Sequence, residues 1–182
     1  MHRILATVER NLAFTLRPWE DSDIESLMEY GNNKRIADFL TDAFPHPYTR
    51  EKGEAFIAYA KATTPTSIFT IDIEGKASGG IGLHPQQDIQ RYNAELGYWL
   101  AEPFWNHGVI TAAIRQIVNY GFEHLPINRI FARPFGSNIA SQKVLEKAGF
   151  TLEARFEKTL IKNNEWQDEL VYAIRKPVPK SS

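Results

Sequence analysis

Asn138, Ser141 and Leu145 stand at i, i+3 and i+7 in the stretch Asn138-Ile-Ala-Ser141-Gln-Lys-Val-Leu145-Glu-Lys147-Ala-Gly149-Phe150. A helix there puts all three on one face. The two polar groups near its start could hold a ligand. A second helix start, Trp105-Asn-His-Gly108-Val-Ile-Thr111, carries a glycine, which allows unusual dihedrals and close backbone approach. The free amides that open a helix, with its dipole, suit a phosphate. This turn has neither the Gly-Lys-Ser/Thr of a P-loop nor the Gly-x-Gly-x-x-Gly of a dinucleotide fold. Together the two starts suggest one site made by two helix N-termini. Plainer readings stand beside each residue. One glycine before a helix is also an ordinary turn. His107 is a solvent-facing loop residue or a phosphate neighbour as readily as a catalytic group. Asn138 is an N-cap as well as a ligand contact, and the Ser141 hydroxyl can bond back to its own helix.

The elements that must position these residues alternate. Leu12, Phe14 and Leu16 predict a first strand. Ser22-Asp-Ile-Glu25 has capping-box spacing before a helix with Ile24, Leu27 and Met28 inward. A short helix is expected over 34–40 and a longer one, capped by Thr49, to Lys61 with Phe56 and Tyr59 inward. Strands 68–73 and 77–83 form a hairpin around Glu74-Gly75-Lys76. Strand 94–100, helix 111–122, strand 129–135 and helix 139–148 follow, the last stopped by Gly149. Strands 151–156 and 165–174 close the chain, with Asn163-Asn164 as a turn. This order indicates an α/β or α+β fold with a mixed sheet.

Composition narrows the function. The 182 residues are 43% hydrophobic and 12% aromatic, enough for a sizeable core in a single domain. A net charge of −1 argues against non-specific nucleic-acid binding, yet allows one local anion site. With no cysteine, disulfides, thiolate metal sites and a cysteine nucleophile are excluded. The start lacks a secretory signal, and no window approaches the ~18 apolar residues of a membrane span. The expectation is a soluble cytoplasmic protein with a frayed tail at 176–182.

Gly97-Tyr-Trp-Leu-Ala-Glu-Pro-Phe-Trp-Asn-His-Gly108-Val-Ile-Thr111-Ala, followed by Asn138-x-x-Ser141-x-x-x-Leu145-Glu-Lys-Ala-Gly149-Phe150, resembles the GNAT superfamily of acyl-CoA-dependent N-acetyltransferases. The likeness is closest to its RimJ/RimL-type branch. Arg17-Pro-Trp, Asn32-Asn33, Gly79-Gly-Ile-Gly82 and Glu165-Trp-x-Asp168-Glu169 also resemble that branch. The resemblance implies one domain over 1–182 and a twisted mixed sheet of about seven strands, flanked by helices and splayed at its middle. It implies acetyl-CoA as cosubstrate, no metal, and direct transfer to a primary amine, either a protein N-terminus or a small amine. The pyrophosphate would lie on the turn of Asn106, His107, Gly108, Val109, Ile110 and Thr111. The pantetheine arm would lie in the splay beside Asn138 and Ser141, with backbone groups of Tyr98, Trp99 and Leu100. No nucleic acid or membrane is implied as partner, and homodimerisation stays open. Two departures matter. Asn106 and Ile110 replace small residues frequent in the turn, and Leu145 stands where many members carry a thiolate-protonating tyrosine. They support the alternative of a non-catalytic acyl-CoA-binding module.

Acetyl transfer makes three demands. The amine, with a pKa of about 8 for an α-amine or about 10.4 for lysine, must lose a proton. The carbonyl oxygen needs an amide donor, and the thiolate needs a proton or local stabilisation. Glu95 is the expected base, working through water. It shares a strand face with Gly97 and Trp99, opposite Ala94, Leu96, Tyr98 and Leu100, and a carboxylate in an apolar strand is costly unless paired, solvated or functional. A salt-bridged glutamate is the plainer reading. Ser141 is the nearest hydroxyl for the thiolate. Asp168 and Glu169 could receive a cationic substrate or simply end a solvated strand, and the four tryptophans are expected to pack.

Overall fold

The computed structural model describes residues 12–177. The expectations for the chain start and for the tail beyond 177 lie outside these residues. In chain order the elements are β1 (Thr15–Pro18), α1 (Ile24–Gly31), α2 (Lys34–Ala37), α3 (Arg50–Lys61), β2 (Ile68–Ile73), β3 (Lys76–Pro85), β4 (Asn93–Leu100), α4 (Val109–His124), β5 (Arg129–Ala132), α5 (Ile139–Lys147), β6 (Thr151–Lys162) and β7 (Glu165–Arg175). Among the described residues seven strands form one sheet in the order β1-β2-β3-β4-β5-β7-β6. The β4–β5 pair is parallel and the other described pairings are antiparallel. The expected α/β mixed sheet flanked by helices is therefore what the chain forms.

Each face of the sheet buries its own core. On one face α4 and α5 cover Ile71, Ile81, Leu83, Leu96 and Ile130. Ala113, Ile114 and Ile117 of α4 are fully buried there, and each isoleucine contributes about 1.5–3 kcal/mol of apolar burial. On the other face α1 and α3 pack Leu27 and Ile57 against Trp19, Ile68 and Trp99. A Cβ on Gly121 of α4 would come within 2.4 Å of Leu83 Cδ1, so this glycine sets how closely α4 approaches β3.

Several local details differ from expectation. The capping box before α1 is made by Glu20 and Asp23, not by Ser22 and Glu25. Arg17 holds the buried Asp23 carboxylate (2.8 Å to each oxygen), which turns it inward to accept from Glu20 N–H at 2.9 Å. Thr49 does cap α3, but the helix buries Gly53, Ile57 and Ala60 and leaves Tyr59 exposed. Trp166 is also exposed, whereas Trp19 and Trp99 are core residues. Strand β5 stops at Ala132, and Phe135 retains only a bridge to Glu169. Gly149 takes the expected left-handed conformation, as do Asn163 and Asn164 in the β6–β7 turn.

Candidate active site

The sheet opens beside β4. Strand β5 pairs with β4 only at Asn93, Ala94 and Glu95 and then diverges, while β4 continues to Leu100 against β3. Backbone direction follows from the ladder. Gln86 N–H donates to Asn93 O, and Ala101 N–H donates to Ser78 O. Odd-numbered residues of β4 therefore point their amides at β3, and even-numbered ones point theirs at the other edge. Among the described residues that edge has no strand beyond Leu96, so Tyr98 and Leu100 face it. Leu100 O is taken by Trp105 Nε1 at 2.7 Å, which folds the following loop against the strand end. The backbone of Trp99 is turned toward Gly80 on β3, and its side chain lies in the α1–α3 core.

The candidate anion-binding turn follows the end of this strand. Asn106 and Gly108 are both left-handed (φ 63° and 75°), and all of Asn106, His107 and Gly108 are exposed. Asparagine tolerates that conformation, so the absent glycine at 106 does not prevent the turn. Helix α4 begins at Val109, earlier than expected, and its first backbone bond runs from Ala112 N–H to Gly108 O. The amides of Gly108, Val109, Ile110 and Thr111 thus precede the helical ladder and present donors with the dipole behind them. Val109 is buried and Ile110 packs against the core, so these two contribute backbone only.

Helix α5 forms the opposite wall. The Asn138 side chain accepts from Ser141 N–H at 3.1 Å, capping the helix through Oδ1 and leaving its amide nitrogen for another partner. Ser141 does not spend its hydroxyl on its own helix. Its Oγ lies 2.6 Å from the Tyr98 hydroxyl. Burial pushes Tyr98 up to about 12, against the opposing effect of the Ser141 bond. The phenol therefore stays protonated at any working pH. Leu145 is fully buried in the core rather than lining the opening. Sequence reasoning valued Tyr98 for its backbone. Strand alternation already set its side chain opposite Glu95, but nothing in the sequence revealed the 43-residue reach to Ser141.

The other face of β4 carries charge. Both oxygens of Glu95 accept from Arg133, Nε at 2.8 Å and Nη2 at 3.0 Å. Arg133 also donates to Glu169 at 3.2 Å. Asp168 is occupied too, accepting from Lys158 N–H and Arg155, which hold it below the usual carboxylate range. A polar cleft of about 350 Å³ opens here, lined by Gln86, Gln90, Asn93, Glu95, Arg129 and Arg133 among others. Directly across from Glu95 on β3 is His84, which sequence reasoning passed over because only the register pairs them. Its half-buried ring is desolvated and so lies below the ordinary imidazole value, the Glu95 charge opposing. The tip of the β6–β7 hairpin reaches across to the loop after α2. Lys162 meets Asp42 at 2.8 Å, and Asn163 Nδ2 meets Asp38 at 2.9 Å.

The motif residues away from the opening brace it. Asn32 accepts from Tyr48 N–H (3.0 Å). Asn33 caps α2 and donates to Glu102 at 2.8 Å, tying the helix elbow to the loop that leads into the anion turn.

This geometry has relatives. The chain is 36% identical to the "Putative ribosomal N-acetyltransferase YdaF" of Bacillus subtilis (strain 168) over 57% of this chain and 56% of that protein. It thus spans about half the length of that relative. With the "Uncharacterized N-acetyltransferase YnaD" of the same organism it is 28% identical over 87% of this chain and 91% of that one. Among solved structures, the microcin C7 self-immunity acetyltransferase MccE, in complex with acetyl-CoA and AMP, matches with a TM-score of 0.75 and 25% identity. That match covers 90% of this chain and 92% of that one. The family model described as "Acetyltransferase (GNAT) domain" matches residues 13–151, from the first strand through the opening, the anion turn and α5. The chain belongs to the GNAT acetyltransferase family.

Proposed function

We propose that this protein transfers an acetyl group from acetyl-CoA directly to a primary amine in a ternary complex. The observation that carries the reading is the open edge of β4 between two helix N-termini, with the Tyr98–Ser141 pair beside it. These parts fit the cosubstrate. The amides of Gly108 to Thr111, with Asn106 and His107 beside them, would hold the pyrophosphate. The free edge at Tyr98 and Leu100 and the Asn138 amide would hold the amide-bearing arm. Acetyl-CoA supplies an acyl carbon activated as a thioester. The Tyr98 N–H polarises its carbonyl, Ser141 stabilises the departing sulfur, and Glu95 on the opposite face draws the cationic amine and drives its deprotonation. No protein nucleophile is needed, and zero cysteines accord with that and with work in a reducing cytoplasm.

The acceptor we favour is a peptide α-amine, with small amines second. The carboxamides of Gln86, Gln90 and Asn93 line the cleft next to Glu95 and suit a peptide backbone, and a relative is named as a putative ribosomal N-acetyltransferase. The test is thiol release from acetyl-CoA against a panel of N-terminal peptides, polyamines and other small amines. Turnover that prefers peptides is expected. Binding of acetyl-CoA without turnover on any amine would replace this reading with a non-catalytic acyl-CoA-binding module.

A further inference from the structure

We infer that His84 takes the proton from the acceptor amine, with Glu95 behind it as an anionic partner rather than as the proton acceptor itself. This rests on the acetyl-transfer reading, and its ground is the layout of one sheet face. His84 and Glu95 are directly paired across β3 and β4, so their side chains leave the same face. The next pair along that face is Gly82 and Gly97. A Cβ on Gly97 would meet only the imidazole, Nε2 at 3.7 Å and Cδ2 at 4.0 Å, and a Cβ on Gly82 would lie 3.5 Å from the same nitrogen. The ring therefore leans over two positions that carry no side chain. It ends beside Gly97, the residue before Tyr98, whose amide faces the open edge.

Glu95 is otherwise engaged. Both of its oxygens accept from Arg133, and Arg133 is balanced on its far side by Glu169 of β7. The His84 ring makes no hydrogen bond among the described residues; beyond its ladder pairing with Glu95, its carbonyl accepts from Gln86 Nε2 at 3.0 Å. The charged group facing the ring is Glu95 of β4, with Arg133 and Glu169 behind it. The β2 neighbour on this face is apolar Ile68, 3.2 Å from a Cβ on Gly82. Desolvation keeps the imidazole below its ordinary 6.5, so it is neutral near pH 7 with one nitrogen open to accept.

The step balances without an oxidant or reductant. With the ring hydrogen on Nδ1, Nε2 accepts a proton from the amine as the C–N bond forms. The electron pair of the C–S bond leaves on sulfur, which is protonated from Ser141 or water. The imidazolium, stabilised by the Glu95 charge, then releases its proton to solvent, so the amine hydrogen ends formally on the thiol.

The test uses the full chain, acetyl-CoA and the amine that wild type accepts best, from about pH 5.5 to 9. In His84→Gln, kcat is expected to fall about a hundredfold while the acetyl-CoA KM stays within about twofold, which also reports an intact fold. The acid limb should become shallower below pH 6.5, because ring protonation no longer adds to protonation of the amine, which persists with a pKa of about 8 or above. A second measurement is independent of turnover. An NMR titration of the ring should show a midpoint below 6.5, moved lower still by Glu95→Gln, since the Glu95 charge raises it. A His84→Gln enzyme close to wild type, an unchanged acid limb, or a ring midpoint at or above 6.5 overturns the assignment. Wild type that binds acetyl-CoA yet acetylates no amine overturns the acetyl-transfer reading itself. Wild-type turnover undiminished in His84→Gln overturns this inference alone.

Discussion

Removing one oxygen, by Tyr98→Phe, tests how the thiol side of the site works. A hydroxyl has a single hydrogen, so the direction of the 2.6 Å Tyr98–Ser141 bond decides where the Ser141 hydrogen can point. The phenol is the more acidic of the two hydroxyls, and burial keeps it protonated. As the stronger acid it is the better donor of the two, and with the phenol donating Ser141 keeps its own hydrogen for a partner across the opening. With phenylalanine at 98 the serine loses that constraint and can bond back to its own helix. The donor is then present but misdirected. The loss is that of one hydrogen bond's worth of orientation, about 0.5–1.5 kcal/mol, which corresponds to about two- to tenfold in kcat. Ser141→Ala removes the donor outright and should cost about tenfold or more.

The decisive measurement is the double-mutant cycle in kcat. If Tyr98 acts through Ser141, then Tyr98→Phe added to Ser141→Ala costs nothing further. The acetyl-CoA KM should stay within about twofold in all three variants. A thermal melt of Tyr98→Phe should show about 1 kcal/mol of destabilisation from the lost Tyr98–Ser141 hydrogen bond. Independent, multiplying losses in the double variant would refute the relay, as would a normal rate in Tyr98→Phe.

Three further outcomes are expected. Glu95→Gln should lower kcat for amine acetylation by at least about tenfold while leaving the acetyl-CoA KM within about twofold; equal weakening of both would make Glu95 a scaffold residue. Asp23→Asn should cost about 1.5–3 kcal/mol at neutral pH, because it breaks the paired bonds to Arg17. Burial raises the Asp23 pKa, but the bonds from Arg17 and the Glu20 N–H outweigh it and hold the carboxyl below 3.8. Its stabilisation is thus complete above the unfolded value and lost as pH falls through the lower folded one. The variant's melting temperature should fall less steeply than wild type below pH 3.8. Gly121→Ala should destabilise by about 1 kcal/mol, since overpacking against Leu83 costs about 1–3 kcal/mol and helix propensity returns about 1; a raised melting temperature would contradict the fixed α4–β3 spacing.

What could be read in advance was what depends on local pattern. Apolar periodicity placed most strands and helices within a few residues, though β6 runs on to Lys162 rather than ending at 156, and Gly149 and Asn163-Asn164 took the left-handed conformations their types suggest. The family motifs pointed to the turn at 106–108 and the α5 face, which the fold brings beside the open edge of β4. The unread parts depend on register and long-range partners. Arg17 redirected the capping box because its partners are Asp23 and Asp72, the second 55 residues away. Arg133 carries no motif, yet it binds Glu95 across 38 residues. His84 became relevant only when pairing set it against Glu95 over a glycine. Leu145 was a departure from the expected pattern, and its burial makes it core; the hydroxyl beside Ser141 arrives from β4 instead.

On the proposed reading, one strand serves both halves of the reaction. Side chains of β4 alternate in direction, and its backbone amides alternate between β3 and the open edge with the same period of two. Parity therefore does three things together. Even positions supply the free amide of Tyr98 at the opening and its hydroxyl to α5. Odd positions supply Glu95 to the amine side, and Gly97 leaves room there for the His84 ring. Because both periods are two, sliding β4 by one residue would exchange all of these at once. It would carry the carboxylate to the thiol side and the phenol to the amine side. On the proposed mechanism, the division of acid and base chemistry rests on the pairing of Gly82 with Gly97 and of His84 with Glu95. On that reading a chain without the helix tyrosine keeps a hydroxyl at the thiol because the even face of β4 points toward α5.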